Sequence, residues 1–346
     1  MDSKRLTDTF LDLVKISSPG LHEADVAAYV KDRLHSLGVE AYTDDAGEKL
    51  GGNTGNLVAK LQGTVPGHLV FGAHMDTVSP CENVTPVIKD GVVYSDGTTV
   101  LGADDKVGIA AVLETLACLK EEGGSYPSIT CLFTIGEEIG MLGAKNADPA
   151  LFEEGVLTLI CDGEATPGSV EIASAHHYAF EMTFHGRAAH AGVAPERGIS
   201  AILMAADAVS RMKLGRIDED TVANVATIEG GTASNVVPEL CKIVGECRAI
   251  DMERLEDVRA QIEQSAQDAA KAFGGSVDTS WEKTVEGYDT KPASPQVKLV
   301  LDAAAAEGLV PAYSRSCGAT DGNCYAAYGA CPIVLGTGRR DFHGKS

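Results

Sequence analysis

Five short segments carry histidine and acidic residues that could do chemistry together. They are Ala73-His74-Met75-Asp76-Thr77, Gly102-Ala103-Asp104-Asp105-Lys106, Gly136-Glu137-Glu138-Ile139-Gly140, Cys161-Asp162-Gly163-Glu164 and Asp341-Phe342-His343-Gly344. Carboxylates that converge in one pocket repel each other and raise their own pKa values. A divalent cation removes that conflict. Imidazole with carboxylate suits zinc, and also cobalt or manganese, and one carboxylate can bridge two ions that share a site. Taken singly, each segment has an ordinary reading. H-x-D arises by chance, Glu-Glu pairs mostly face solvent, Asp-Asp ahead of a helix is an N-cap, and Asp162 is a turn residue. Their order changes the balance, because the first four each follow an expected strand.

The elements that must position them can be read from periodicity. Leu6, Phe10, Leu13 and Val14 fall at helical spacing, as do Val26, Val30, Leu34 and Leu37. Strands are expected at 56–61, 68–73, 86–89, 92–94, 129–134 and 158–161, with a helix at 107–120. Strands alternating with helices argue an α/β sheet with helices on its faces. In such sheets ligands gather beyond the carboxyl ends of parallel strands, where these segments would meet. From about Ala175 the rhythm changes, as Phe180, Met182 and Phe184 alternate with polar neighbours. The order β-α-β-β-α-β that follows is that of a ferredoxin-like α+β unit. The expected division is 1–175 and 289–346 for a discontinuous α/β domain, with 176–288 inserted. A helix over 294–308 and a last sheet strand over 332–335 complete the second part.

Composition sets outer limits. Hydrophobic residues make up 44% and the mean hydropathy is near zero, which fits an ordinary globular protein. The formal net charge of −22 opposes binding to nucleic acid or to anionic membrane surfaces. No apolar run approaches the roughly 20 residues of a membrane helix. Nine cysteines without a C-x-x-C pair, behind a polar start, read as reduced thiols in a cytoplasm.

H-x-D, G-x-D-D-K, G-E-E-x-G and the late histidine, in this order, resemble the peptidase T-like zinc peptidases, relatives of glutamate carboxypeptidase, aminoacylase and succinyl-diaminopimelate desuccinylase. The resemblance spans nearly the whole chain, and the stretch Ala103–Ala110 is closest to the peptidase T-like branch. It implies a mixed, mostly parallel sheet flanked by helices, with the inserted unit serving dimerisation. It also implies a hydrolase holding two divalent ions, zinc first and cobalt or manganese as alternatives. Asp104 would bridge the ions, with Glu138 and His343 completing one and His74 with Asp162 the other. Asp76 would orient His74, the Asp104–Asp105 bond would be cis, and Glu137 would be the general base. Gly186–Gly192 resembles the family's G-x-x-x-H-x-G segment, so His190 would help hold the oxyanion in a neighbouring subunit. Asn235 and Arg248 would clamp the substrate. The loop Gly318–Gly322 would lie near it.

These inferences give a homodimeric, small-peptide hydrolase, a tripeptide-type aminopeptidase in its branch. An N-acyl amino acid amidohydrolase or a carboxypeptidase would use the same metals. A metal-binding assembly subunit without activity would be favoured if His74, Asp104 or Glu137 were replaced, and none is. The resemblance departs at the end. The family continues through an acidic position and a final packing helix, which is expected to be missing here, since the chain stops three residues after His343.

Overall fold

The computed structural model describes residues 1–341, 343 and 344. Two compact units emerge, one of Met1–Ile172, Thr290–Ser314 and Thr320–Ser346, the other of Ala173–Asp289 and Arg315–Ala319. The segment 315–319 thus groups with the second unit.

The first unit is built on a mixed, mostly parallel sheet. Strands Ser128–Thr134, His68–His74, Leu157–Gly163 and Cys331–Gly336 lie side by side and run parallel. Antiparallel neighbours extend both sides, Leu57–Leu61 beyond 128–134 and Ser169–Ser174 beyond 331–336. His68–His74 has to be buried on both faces, which is why it reads as an almost unbroken apolar run. Its residues still divide by period two. Leu69, Phe71 and Ala73 join the main core, made with helices Ser3–Val14, Ala24–Ser36 and Ala103–Glu122. Gly72 faces the other way, against fully buried Tyr325, where an added Cβ would come within 3.1 Å of that ring.

Helix Ala103–Glu122 begins earlier than its apolar periodicity suggests, but Asp104 (φ −84°, ψ 109°) and Asp105 (φ −113°, ψ 37°) are non-helical. The regular helix therefore starts after the acidic pair. Arg5 fastens this helix to the first one. Its Nε donates to Glu114 Oε2 at 2.6 Å and Nη2 donates to Glu114 Oε1 at 3.0 Å. The Arg5 guanidinium holds the Glu114 carboxyl down at about 2. Unfolded chains then take up the proton first, so the contribution is complete above about pH 4.5 and is lost as pH falls through about 2. Glu114→Gln is expected to cost about 2 kcal/mol at pH 7, the scale of a charge-assisted pair. Urea titrations of both proteins should show this difference shrinking between pH 5 and pH 3, and a gap independent of pH would refute the pairing.

The second unit has a five-stranded antiparallel sheet in the order Gly215–Asp218, Thr221–Gly230, Leu240–Ala249, His176–His185, Ser276–Val285. Without the first strand this is the ferredoxin-like arrangement, with helices Ala201–Arg211 and Met252–Phe273. Phe180, Met182 and Phe184 are buried with Ile243, Leu255 and Ile262, as their alternation demands. All nine cysteines are free thiols. Among the described residues no helix is long and apolar enough to cross a membrane.

Candidate metal centre

The parallel strands deliver the site at their carboxyl ends. His74 is the last residue of its strand, Glu137 and Glu138 follow strand 128–134, and Asp162 lies in the closing residues of 157–163. Asp104 and Asp105 sit at the start of helix Ala103–Glu122, and the bond between them is cis.

His74 is buried, and its two ring nitrogens are committed differently. Nδ1 donates to the carbonyl of Asp76 at 2.9 Å and lies 3.3 Å from Asp76 Oδ1. Nε2, the nitrogen left for a cation, faces Asp104 Oδ1 at 2.9 Å and Asp162 Oδ1 at 3.8 Å. Burial opposes charge on this ring, but the Asp104, Asp76 and Asp162 carboxylates together push its pKa well above the usual range. Asp76 also has a second duty that its place in H-x-D does not reveal. Its carboxylate accepts the backbone N–H of Glu137 at 2.9 Å and that of Glu138 at 3.1 Å. One side chain therefore sets both the histidine and the acidic turn.

Asp104 stands at the middle. Oδ1 faces His74, and Oδ2 lies 3.7 Å from His343 Nε2. Burial would raise this carboxyl, yet His343, His74 and Arg339 hold it well below the carboxylate range. His343 Nε2 lies 3.0 Å from Glu138 Oε1, with half its side chain exposed. Asp105 is fully buried, and its Oδ1 accepts from Gly108 N at 3.1 Å. Gly108 has to be glycine for that approach, because a Cβ would stand 2.4 Å from Asp105 Oδ1 and 2.6 Å from the Cys161 carbonyl.

Burial drives the Glu137 carboxyl well above its usual range, with Asp162, Asp321 and Glu138 adding to it and His74 opposing. Burial also lifts Asp162 to about 7 and Asp321 to about 6. Asp321 accepts from the hydroxyls of Thr134 and Tyr325. Behind the acidic turn, buried Glu23 accepts from Leu21 N at 2.8 Å and Gly136 N at 2.9 Å, and burial raises its carboxyl to about 7.

Among the described residues two groups have donor atoms that converge within 4.8 Å inside each group, His74 with Asp104 and Glu138, and His74 with Asp105 and Asp162. The donor chemistry fits two divalent ions, since imidazole nitrogen and carboxylate oxygen suit zinc, cobalt or manganese. A further observation agrees. The guanidinium of Arg339 is drawn in among Asp104, Asp105 and Asp162, as expected where crowded carboxyls call for positive charge. Nothing in the sequence marked Arg339. Glu23 was likewise silent, because its contact with Gly136 N joins distant backbone segments.

The remaining expected site residues belong to the second unit. His190 is exposed in the two-residue strand Ala189–His190, opposite Val236, and Asn235 accepts from Ala191 N at 2.9 Å through its carbonyl. Arg248, in Leu240–Ala249, donates to both carboxylate oxygens of Glu246 and to the Cys317 carbonyl. His190 and Asn235 are thus brought together, and Arg248 has its own acidic partner.

Comparison with known proteins settles the class: the chain belongs to the peptidase T-like M20 metallopeptidases. Its relatives include the uncharacterized protein YqjE of Bacillus subtilis (strain 168), 36% identical over 347 residues, which span 100% of this chain and 93% of that protein. The structure of aminopeptidase PepT from Bacillus cereus ATCC 10987 superposes with a TM-score of 0.94 at 34% identity, covering 100% of this chain and 93% of that one. A tripeptidase from Staphylococcus aureus subsp. aureus Mu50 gives 0.95 at 34% identity, covering 100% and 92%. The peptidase dimerisation domain model matches residues 173–273, and the peptidase family M28 model matches 56–150, the segment with His74, Asp104 and Glu137.

Proposed function

We propose that this metallopeptidase is a cytoplasmic, homodimeric two-zinc aminopeptidase that removes N-terminal residues from short peptides, tripeptides foremost. The observation that carries this reading is end-to-end similarity to an aminopeptidase and a tripeptidase, in a chain whose own acids and His74 converge at the strand ends. His74, Asp104, Glu138, Asp162 and His343 would hold the two ions. Bound there, the ions supply Lewis acidity and a water of lowered pKa. Glu137 would serve as the general base, taking a proton from the attacking water and returning it to the leaving amine. Asp76 fixes the His74 ring and the Glu137 backbone while this happens. Asn235 and Arg248 orient the peptide, Arg248 by gripping a carboxylate as a two-pronged donor once it exchanges Glu246 for substrate. His190 supports the oxyanion of the neighbouring subunit. The match to a dimerisation domain supports pairing through the inserted unit, and nine free thiols suit a reducing compartment.

The test is product analysis. Chelator-stripped protein should lose at least ~10²-fold in rate, with recovery on adding Zn2+, Co2+ or Mn2+. The reloaded protein, given di-, tri- and N-acyl peptides together, should release free N-terminal amino acids from the tripeptides. Release from N-acyl substrates alone, or no release with any of the three ions, would overturn the proposal. A strictly monomeric protein of full activity would remove His190 from the mechanism.

A further inference from the structure

Arg339 enters the acidic cluster from the loop after strand Cys331–Gly336. Its Nη1 donates to Asp104 Oδ1, and its Nη2 donates to the carbonyl of Asp162 and, at 2.8 Å, to Asp162 Oδ1. Asp105 Oδ1 lies 3.7 Å from Nη1. Only 4% of the side chain is exposed. A full positive charge is therefore spread over three aspartates, through the same Asp104 and Asp162 oxygens that His74 Nε2 faces. On the opposite side, Asp104 Oδ2 and Glu138 have His343 as their neighbour instead.

We propose that Arg339 is the resident cation of the Asp104–Asp162 half of the centre. It holds these carboxylates together until a divalent ion displaces it, which makes this half the weaker of the two metal positions. The inference rests on the two-metal reading above. The physical ground is that a guanidinium and a divalent ion cannot share the same oxygens, because like charges at such distances repel strongly when screened from water. Displacement has somewhere to lead. The loop turns through positive φ at Gly338 (+80°) and Asp341 (+54°), and Arg339 borders a cleft of about 540 Å³ that Thr337 and His343 also line. The two halves then load in order, first the half beside Glu138 and His343, second the half that must expel an arginine.

Calorimetric titration of Zn2+ or Co2+ into the stripped full chain tests this, using wild type, Arg339→Gln and Arg339→Lys. Wild type should take up two ions in separate tight and weak steps. Arg339→Gln should tighten the weak step at least about tenfold and lower the Tm of the stripped protein, with Arg339→Lys between the two. A weak step unchanged or weakened in Arg339→Gln overturns the proposal, whatever happens to activity. Should stripped Arg339→Gln fail to stay folded, release of ions from the loaded proteins into excess chelator makes the same comparison. The second ion should leave wild type faster, and equal rates overturn the proposal. No uptake of divalent ions by wild type would overturn the two-metal reading itself, and this inference with it.

Discussion

Glu137→Ala is expected to retain both metal ions and to lose between ~10² and ~10⁴ in kcat, the range that a positioned general base contributes. Glu137 is absent from both groups of converging donor atoms, so its removal leaves them complete. Its backbone is held independently by Asp76 Oδ1, and truncating the side chain does not release the turn. In the metal-free site, burial and the surrounding Asp162, Asp321 and Glu138 raise its affinity for a proton. KM should change little, because the lost interaction belongs to the transition state. Metal content by mass spectrometry and steady-state kinetics on a tripeptide decide the matter. Near-normal turnover, or ions lost together with activity, would contradict the assignment.

Asp104→Ala should act on the opposite side of that division, emptying the centre and reducing the rate by about 10³-fold or more. The two Asp104 oxygens face different partners, Oδ1 toward His74 at 2.9 Å and Oδ2 toward His343 at 3.7 Å. In the bridging role proposed for Asp104, removing one carboxylate would take a donor from both halves. It also leaves Arg339 with Asp162 as its close acidic partner and Asp105 at 3.7 Å. Asp104→Asn preserves volume without the charge and serves as the folding control, with far-UV circular dichroism matched to wild type. The measured quantity is ions per chain after dialysis. Two ions retained by Asp104→Ala would end the case for a shared ligand.

Much of the fold was legible because burial imposes a period. Phe180, Met182 and Phe184 alternate because one face of their sheet is packed beneath helices. The apolar run at 68–74 is continuous because its strand is covered on both sides. Strand Glu40–Thr43 went unread, since it is a mostly exposed edge with no pattern to display. Helix Asp321–Ala327, at two turns, is too short for periodicity to mark, although Thr320 and Asn323 cap it reciprocally. In the site, histidines and acids drew notice by their type. Arg339 and Glu23 did not, because each works by reaching a segment more than a hundred residues away. The second duty of Asp76 escaped for a related reason, since backbone N–H groups carry no signature of the carboxylate that binds them.

That carboxylate has a consequence for how the sheet chooses its alignment. Parallel strands covered on both faces are poorly protected against sliding by one residue, because either alignment keeps apolar groups inside. Here His74 pairs with Thr134, Met75 N–H reaches the Thr134 carbonyl at 2.8 Å, and one residue further on Asp76 grips two N–H groups of the opposing chain. A slipped alignment would take the Glu137 and Glu138 N–H groups away from this buried anion. The acid that sets the His74 ring thus also pegs the alignment of these two strands at their carboxyl ends.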